Sequence, residues 1–297
     1  MIDSLSLVER QNIGWDKRIR SFTASDLVDL FVITTERYLI VFDTGNAPEQ
    51  MQEIMQKIEA DLTNRQLLVI NSHQHFDHTW GNAIFVQNGL YPAPIIGHQK
   101  SVQLLQEKPE EAYRFLSDMQ IGRPFLDSVQ IIAPTLSFSE TFTIYGGDLT
   151  LELFPTPGHS SDHISVWIPE IKTLLAGDAA EHPIPYAAED GSIEQLEQDL
   201  RYLKSFNPEF VLPCHGGTVG ADLIEQNLHY FKSLRHKIMN VKTTTPFTHE
   251  NASKIIGWSF EDAMQDMGLE ASHFTEFYRR LHLQNIISIV NEEKNEA

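Results

Sequence analysis

Six residues, His73-Gln74-His75-Phe76-Asp77-His78, follow directly on the apolar run Leu67-Leu68-Val69-Ile70. They constrain the chain more than any other segment. An apolar, β-rich run that stops at such a cluster predicts a buried strand delivering four metal-binding side chains at a sheet's edge. Neutral imidazole and carboxylate are ordinary ligands of zinc and related divalent ions. Three of the chain's 13 histidines fall within these six positions, a density that an incidental polar turn does not require.

Further donors stand where other apolar runs end in turns. Phe154-Pro155-Thr156-Pro157-Gly158-His159 follows the alternating stretch from Leu149, and Leu174-Leu175-Ala176-Gly177-Asp178 closes on a Gly-Asp pair. Phe210-Val211-Leu212-Pro213-Cys214-His215-Gly216-Gly217 ends in a histidine and two glycines. Glycine beside a ligand permits positive φ and close backbone approach. Singly, each is a weak signal, because a lone histidine after a strand is commonly a turn residue. Together they place five histidines and two aspartates at strand ends, enough for two metal ions sharing one carboxylate. The one cysteine, Cys214, reads as a small buried residue.

The segment HQHFDH matches the H-x-H-x-D-H signature of the metallo-β-lactamase superfamily, and PGH, GD and CHGG follow in that family's order. Asp43-Thr44-Gly45 resembles its early D-T-G turn, and the resemblance covers about residues 28 to 220. It implies an α/β protein with the αββα sandwich, here followed by a helical C-terminal extension. It also implies that His73, His75 and His159 bind one metal, that Asp77, His78 and His215 bind a second, and that Asp178 bridges the two. The cofactors so implied are two divalent ions, zinc foremost, with iron or manganese as substitutes. Asp178 stands where true β-lactamases of the superfamily usually place cysteine, and His75 where flavodiiron relatives place glutamate. The set is instead similar to glyoxalase II-type thioesterases and quorum-signal lactonases.

That likeness implies a hydrolase in which a hydroxide shared by two cations attacks the carbonyl of a thioester, ester or lactone, with Asp77 orienting it. Lactonase relatives carry a tyrosine soon after the bridging aspartate; here the third position is Glu181, and His182 and Tyr186 become the candidate substrate contacts. A helical tail containing Tyr278-Arg279-Arg280 could be compared with the glutathione-holding tail of glyoxalase II, but reads by default as a surface arginine pair. Two other activities fit parts of the pattern. A mononuclear iron oxidoreductase resembling persulfide dioxygenases would use His73, His159 and Asp178, and a phosphodiesterase or nuclease would use the dinuclear set. A silent scaffold would be expected to lose ligands, and all seven positions are filled.

A net charge of −19 opposes nucleic-acid binding and repels anionic membrane surfaces. No run of about 18 apolar residues suggests a membrane span. The opening MIDSLSLVERQNIGWDKR lacks a basic-then-apolar signal pattern, and a single cysteine fits a reducing compartment, so the expected location is cytoplasmic. The expected partner is a small-molecule substrate, with a homodimer as an admissible assembly.

Periodicity predicts strands on either side of Glu36-Arg37, a helix from Pro48 to about Leu62, a helical turn over 81–86 and a strand over 94–97. A helical insertion is expected over about 98–121, then strands at 129–132, 142–145, 149–154, 163–168 and 173–175, with a hairpin turn at Gly146-Gly147. Ser192 should cap a helix to Ser205, and helices are expected over about 222–240, 251–268 and 272–292. The division implied is a catalytic domain at 1–220 and a helical extension at 221–297. His163, which opens a strand, reads as structural, as do His98 and the scattered histidines of the tail.

Overall fold

A computed structural model of the protein describes residues 5–107, 128–217, 220–273 and 275–296. The chain separates into two compact units: Met1–Pro155 with Asp162–Gly177, and Thr156–Ser161 with Asp178–Ala297.

In the first unit a seven-stranded sheet runs in chain order: β1 (Leu7–Glu9), β2 (Ile19–Ala24), β3 (Val28–Thr34), β4 (Tyr38–Phe42), β5 (Gln66–Ile70), β6 (Ile95–His98) and β7 (Leu136–Phe138). The first four are antiparallel neighbours, whereas β4 to β7 are parallel. Parallel neighbours need crossovers, and α1 (Pro48–Ile58) supplies the first. Pro48 sits at its first turn, where the missing N–H costs nothing. Its Met51, Ile54, Met55 and Ile58 are buried at helical spacing. A single-turn helix α2 (Phe76–Thr79) and a 3₁₀ segment Trp80–Phe85 follow β5, and α3 (Gln99–Glu107) follows β6. The unit also holds four strands of a second, antiparallel sheet: β8 (Phe142–Tyr145), β9 (Thr150–Pro155), β10 (Ile164–Ile168) and β11 (Thr173–Gly177), with neighbours in the order β11-β10-β9-β8. Both β10 and β11 are buried along their whole length.

The second unit carries β12 (Phe210–Pro213) and the helices α4 (Ile193–Ser205), α5 (Asp222–Met239), α6 (Ala252–Ile256), α7 (Phe260–Asp266) and α8 (Glu276–Glu296). Helices α4, α5 and α8 pack on one another, and their Leu196, Leu200, Tyr230, Leu234, Ile286 and Ile289 are all fully buried. Among the described residues no helix is long and apolar enough to cross a membrane.

Several expectations need correction. Residues 129–132 are not a strand; the chain joins the sheet only after Pro134, which has no N–H for a ladder. Thr135 donates its N–H to the Ile95 carbonyl, and β7 begins at Leu136. Strands β1 and β2 were not anticipated, although β2 alternates in burial at its start. The helix expected over 251–268 breaks at Gly257, whose φ of +61° ends α6, and Ser259 restarts the chain with a capping box to Asp262. The last helix starts at Glu276 and not at residue 272. Of the insertion expected over 98–121, the part from 108 onward lies outside the described residues.

Candidate metal centre

In the first unit, β5 ends at Ile70 and the next eight residues hold four of the expected ligands. His73 and His78 are fully buried and Asp77 nearly so, while His75 is half-buried. His73 Nε2 and His75 Nδ1 lie 2.8 Å apart, and His78 Nε2 lies 3.6 Å from Asp77 Oδ1. One turn of helix accounts for the last pairing. Asp77 and His78 are adjacent in α2, so both side chains leave the same short backbone segment.

What orients these rings is Asp43, buried at the end of β4 with a φ of +61°. Its Oδ1 accepts the Ser72 N–H at 2.7 Å, and its Oδ2 accepts the Ser72 hydroxyl at 2.8 Å and His78 Nδ1–H at 2.9 Å. Because the Ser72 hydroxyl donates to Asp43, it accepts from His73 Nδ1 at 2.9 Å. Both rings therefore carry their proton on Nδ1 and present Nε2 as the lone-pair nitrogen. Such outer partners set the tautomer and orientation of ligating histidines. A second buried net fixes the α2 backbone. The His78 carbonyl accepts from the Thr44 N–H and hydroxyl and from Asn71 Nδ2, and Asn82 ties Thr44 to Asn71.

His163 is fully buried, with its ring 5.1 Å from that of His73. Gly177 must be glycine beside it: its φ is +57°, and a Cβ there would lie 2.4 Å from His163 Nε2.

In the second unit His159, Asp178 and His215 gather around one atom. His159 Nε2 and His215 Nε2 each lie 3.4 Å from Asp178 Oδ2. His159 Nδ1 donates to the Tyr186 carbonyl at 3.0 Å, which again leaves Nε2 as the acceptor nitrogen. The loop carrying His159 is held against α4. Gly158 donates its N–H to Asp199 Oδ2 at 2.7 Å, and a Cβ at Gly158 would lie 2.2 Å from the Leu196 Cα. Burial pushes the Asp199 carboxyl up to about 6, against hydrogen bonds from Gln195 and Gly158 that lower it. Gly216, with φ +89°, lets the turn after His215 pass the His182 carbonyl, 2.2 Å from where its Cβ would stand.

The two candidate substrate contacts are in this unit. Tyr186 places its ring edge-on to that of His159, with centroids 4.8 Å apart, and supplies the carbonyl just described. His182 is half-buried, and burial lowers its pKa. Cys214 is fully buried. Sequence reasoning did not identify the roles of Asp43, Ser72, Asn71 and Asn82. Asp43 and Asn71 did carry a signal, since each is a polar residue directly after an apolar strand.

The donor chemistry fits divalent cations. Two ligands held tetrahedrally about 2.0–2.1 Å from one zinc stand about 3.3–3.4 Å from each other, and the 3.4 Å nitrogen-to-oxygen spacings around Asp178 fall there. The chain thus carries His/Asp groups of the kind that hold a metal.

Comparison with known proteins agrees. The chain is 26% identical over 223 residues to the human acyl-coenzyme A thioesterase MBLAC2, covering 68% of this chain and 78% of that protein. It is 25% identical to a hydroxyacylglutathione hydrolase of Idiomarina loihiensis, covering 66% and 64% of the two chains. A metallo-beta-lactamase from Pontibacter korlensis superposes with a TM-score of 0.57 at 18% identity, over 75% of this chain and 98% of its own, a likeness of fold. The sequence model of the metallo-beta-lactamase superfamily matches residues 26–215, a span that includes every candidate ligand, and the chain belongs to that superfamily.

Proposed function

We propose that the protein is a thioester hydrolase that works with two divalent cations, zinc foremost. In this reading His73, His75 and His159 take one cation, Asp77, His78 and His215 the other, and Asp178 is shared. The observation that carries it is the arrangement at Asp178, where two imidazole nitrogens stand at ligand spacing from one carboxylate oxygen. Its support within the first unit is the pair of Nδ1 protons fixed by Ser72 and Asp43.

Such cations, when bound, would supply a water acidified to a pKa of about 7 and would polarise a carbonyl. The chain's residues do the rest. Asp77 accepts a hydrogen bond from the attacking water at a carboxylate oxygen and aims it. The water oxygen bonds to the thioester carbon, the carbon–sulfur bond breaks, and the products are a carboxylic acid and a thiol. His182 and Tyr186, on the segment leaving Asp178, contact the substrate. The thioester, ahead of an ester or lactone, is supported by a relative named as an acyl-coenzyme A thioesterase. A cytoplasmic setting, where acyl thioesters and reduced thiols coexist, suits a chain whose one cysteine is buried.

The test is elemental analysis of the purified protein together with turnover of acyl-coenzyme A, lactone and phosphodiester substrates. Two zinc ions per chain with thioester cleavage are expected, and Asp77→Ala should lower kcat by at least about 100-fold. One iron per chain with oxygen uptake on a persulfide would replace this reading with an oxidoreductase, and phosphodiester cleavage alone would replace it with a nuclease.

A further inference from the structure

Glu181 is buried at 1% exposure only three residues after Asp178, itself at 2%. Buried carboxylates are costly to keep out of water without compensation. The helical tail supplies a donor to the Glu181 carboxylate, and α5 holds the backbone of the same residue. Asn227 of α5 accepts the Glu181 N–H at 3.0 Å and donates to the Glu181 carbonyl at 2.8 Å, clamping the backbone from both sides. The carboxylate accepts the Tyr278 hydroxyl of α8 at 3.0 Å. Helix α8 then grips the same segment twice more: Asn285 Nδ2 donates to the Pro185 carbonyl at 2.9 Å, and Gln284 Nε2 to the Ala187 carbonyl at 3.0 Å. This segment starts at Asp178 and runs through Tyr186, whose carbonyl sets the tautomer of His159. The neighbouring arginines of the tail turn elsewhere, Arg279 to Glu261 and Arg280 to the surface.

We propose that Tyr278 is a positioning residue of the metal centre: by holding Glu181 it makes helix α8 the support of the segment that joins Asp178 to the anchor of His159. The inference rests on the metal-centre reading above. Tyr278 does not touch the cations; it acts through the backbone between residues 178 and 186. Burial, with Glu181 and Asp178 nearby, raises the phenol pKa well above its ordinary value, which keeps the hydroxyl a donor. Loss of that donor leaves a buried carboxylate to find other solvation, and the nearest route is displacement of the segment that carries Asp178.

The test compares the full chain with Tyr278→Phe, measuring zinc affinity by competition with a chromophoric chelator and the visible spectrum of the cobalt-substituted protein. The melting temperature of the metal-stripped form is measured alongside. Loss of an outer partner typically weakens metal binding about 10- to 100-fold. The expected result for Tyr278→Phe, measured well below the melting temperature of its metal-stripped form, is a loss of at least about tenfold with an altered cobalt spectrum. Unchanged affinity with an unchanged spectrum would overturn the proposal. If Tyr278→Phe does not fold, Gln284→Met carries the same test, because it removes the bond to Ala187 at a half-buried position. Failure of the unsubstituted chain to bind zinc would overturn the metal-centre reading itself, and is distinguishable because it needs no variant.

Discussion

Asp43 shows how much of a candidate metal site can lie behind its candidate ligands. Its carboxylate takes three hydrogen bonds, and two of them decide which nitrogen of His78 and, through Ser72, of His73 holds the proton. Asp43→Ala would leave Ser72 and His78 without that acceptor and both rings able to adopt the other tautomer. Zinc affinity by chelator competition should fall about 10- to 100-fold, the range seen when outer partners are removed. Gly158 makes a different kind of demand. Any Cβ there would fall 2.2 Å from the backbone of Leu196, which cannot swing aside as a flexible side chain can. Gly158→Ala should cost about 2 kcal/mol or more in denaturant unfolding, the scale of overpacking in a tight interior; a loss below about 0.5 kcal/mol would mean that α4 is free to shift. Ligand candidates were legible because histidine and aspartate are rare enough after apolar runs to stand out. Asp43's role was hidden because it depends on a contact 29 residues along the chain, between the ends of two parallel strands.

At the scale of elements, α4 is the piece on which the loop carrying His159 rests, and its start is capped from far away. Ser192 accepts the Gln195 N–H, as its position before the apolar stripe suggested. The larger share of the cap comes from Glu292 of α8, whose Oε1 accepts from the Ser192 hydroxyl and from the N–H groups of Ile193 and Glu194. A carboxylate at a helix N-terminus meets unsatisfied donors and the positive end of the dipole together. Ser192→Ala should therefore cost about 1 kcal/mol, and Glu292→Ala about 2 kcal/mol, since charge-assisted bonds to several donors are lost. Chemical denaturation of the two variants checks the order, and a Glu292→Ala cost below that of Ser192→Ala would refute it. Local rules reached Ser192 because it lies next to the helix it caps. They could not reach Glu292, which closes a loop of a hundred residues. The same limit explains the break in the predicted helix over 251–268: its apolar periodicity persists through Gly257, while the left-handed backbone there stops the helix.

Across the molecule, buried ionisable groups couple the fold to acidity with opposing signs. His282 is fully buried, takes the Tyr230 hydroxyl on Nδ1 and gives Nε2–H to the Trp258 carbonyl. Burial lowers its pKa from 6.5 to about 4. As pH falls through that interval the unfolded chain binds a proton that the folded chain refuses, so His282 makes the protein less stable in acid. Asp199 works the other way. Its pKa is raised from 3.8 to about 6, so as pH falls from about 6 the folded chain takes up a proton that the unfolded chain does not bind until lower pH. Each full pH unit of such a mismatch is worth about 1.4 kcal/mol, and the two windows are of similar width. Between pH 6 and 4 they largely offset each other. Asp199→Asn removes one side of this balance while keeping an acceptor for the Gly158 N–H. At pH 7.5, where the native carboxylate is buried and ionised, the variant should melt at or above the temperature of the unsubstituted chain. That advantage should shrink as pH falls and vanish near pH 4.5, so the variant loses stability faster on acidification. Thermal melts of the metal-stripped proteins at pH 7.5, 6 and 4.5 measure this directly. Parallel curves would mean that Asp199 is ionised alike in folded and unfolded chains, and that the contact holding Gly158 to α4 carries no penalty of burial.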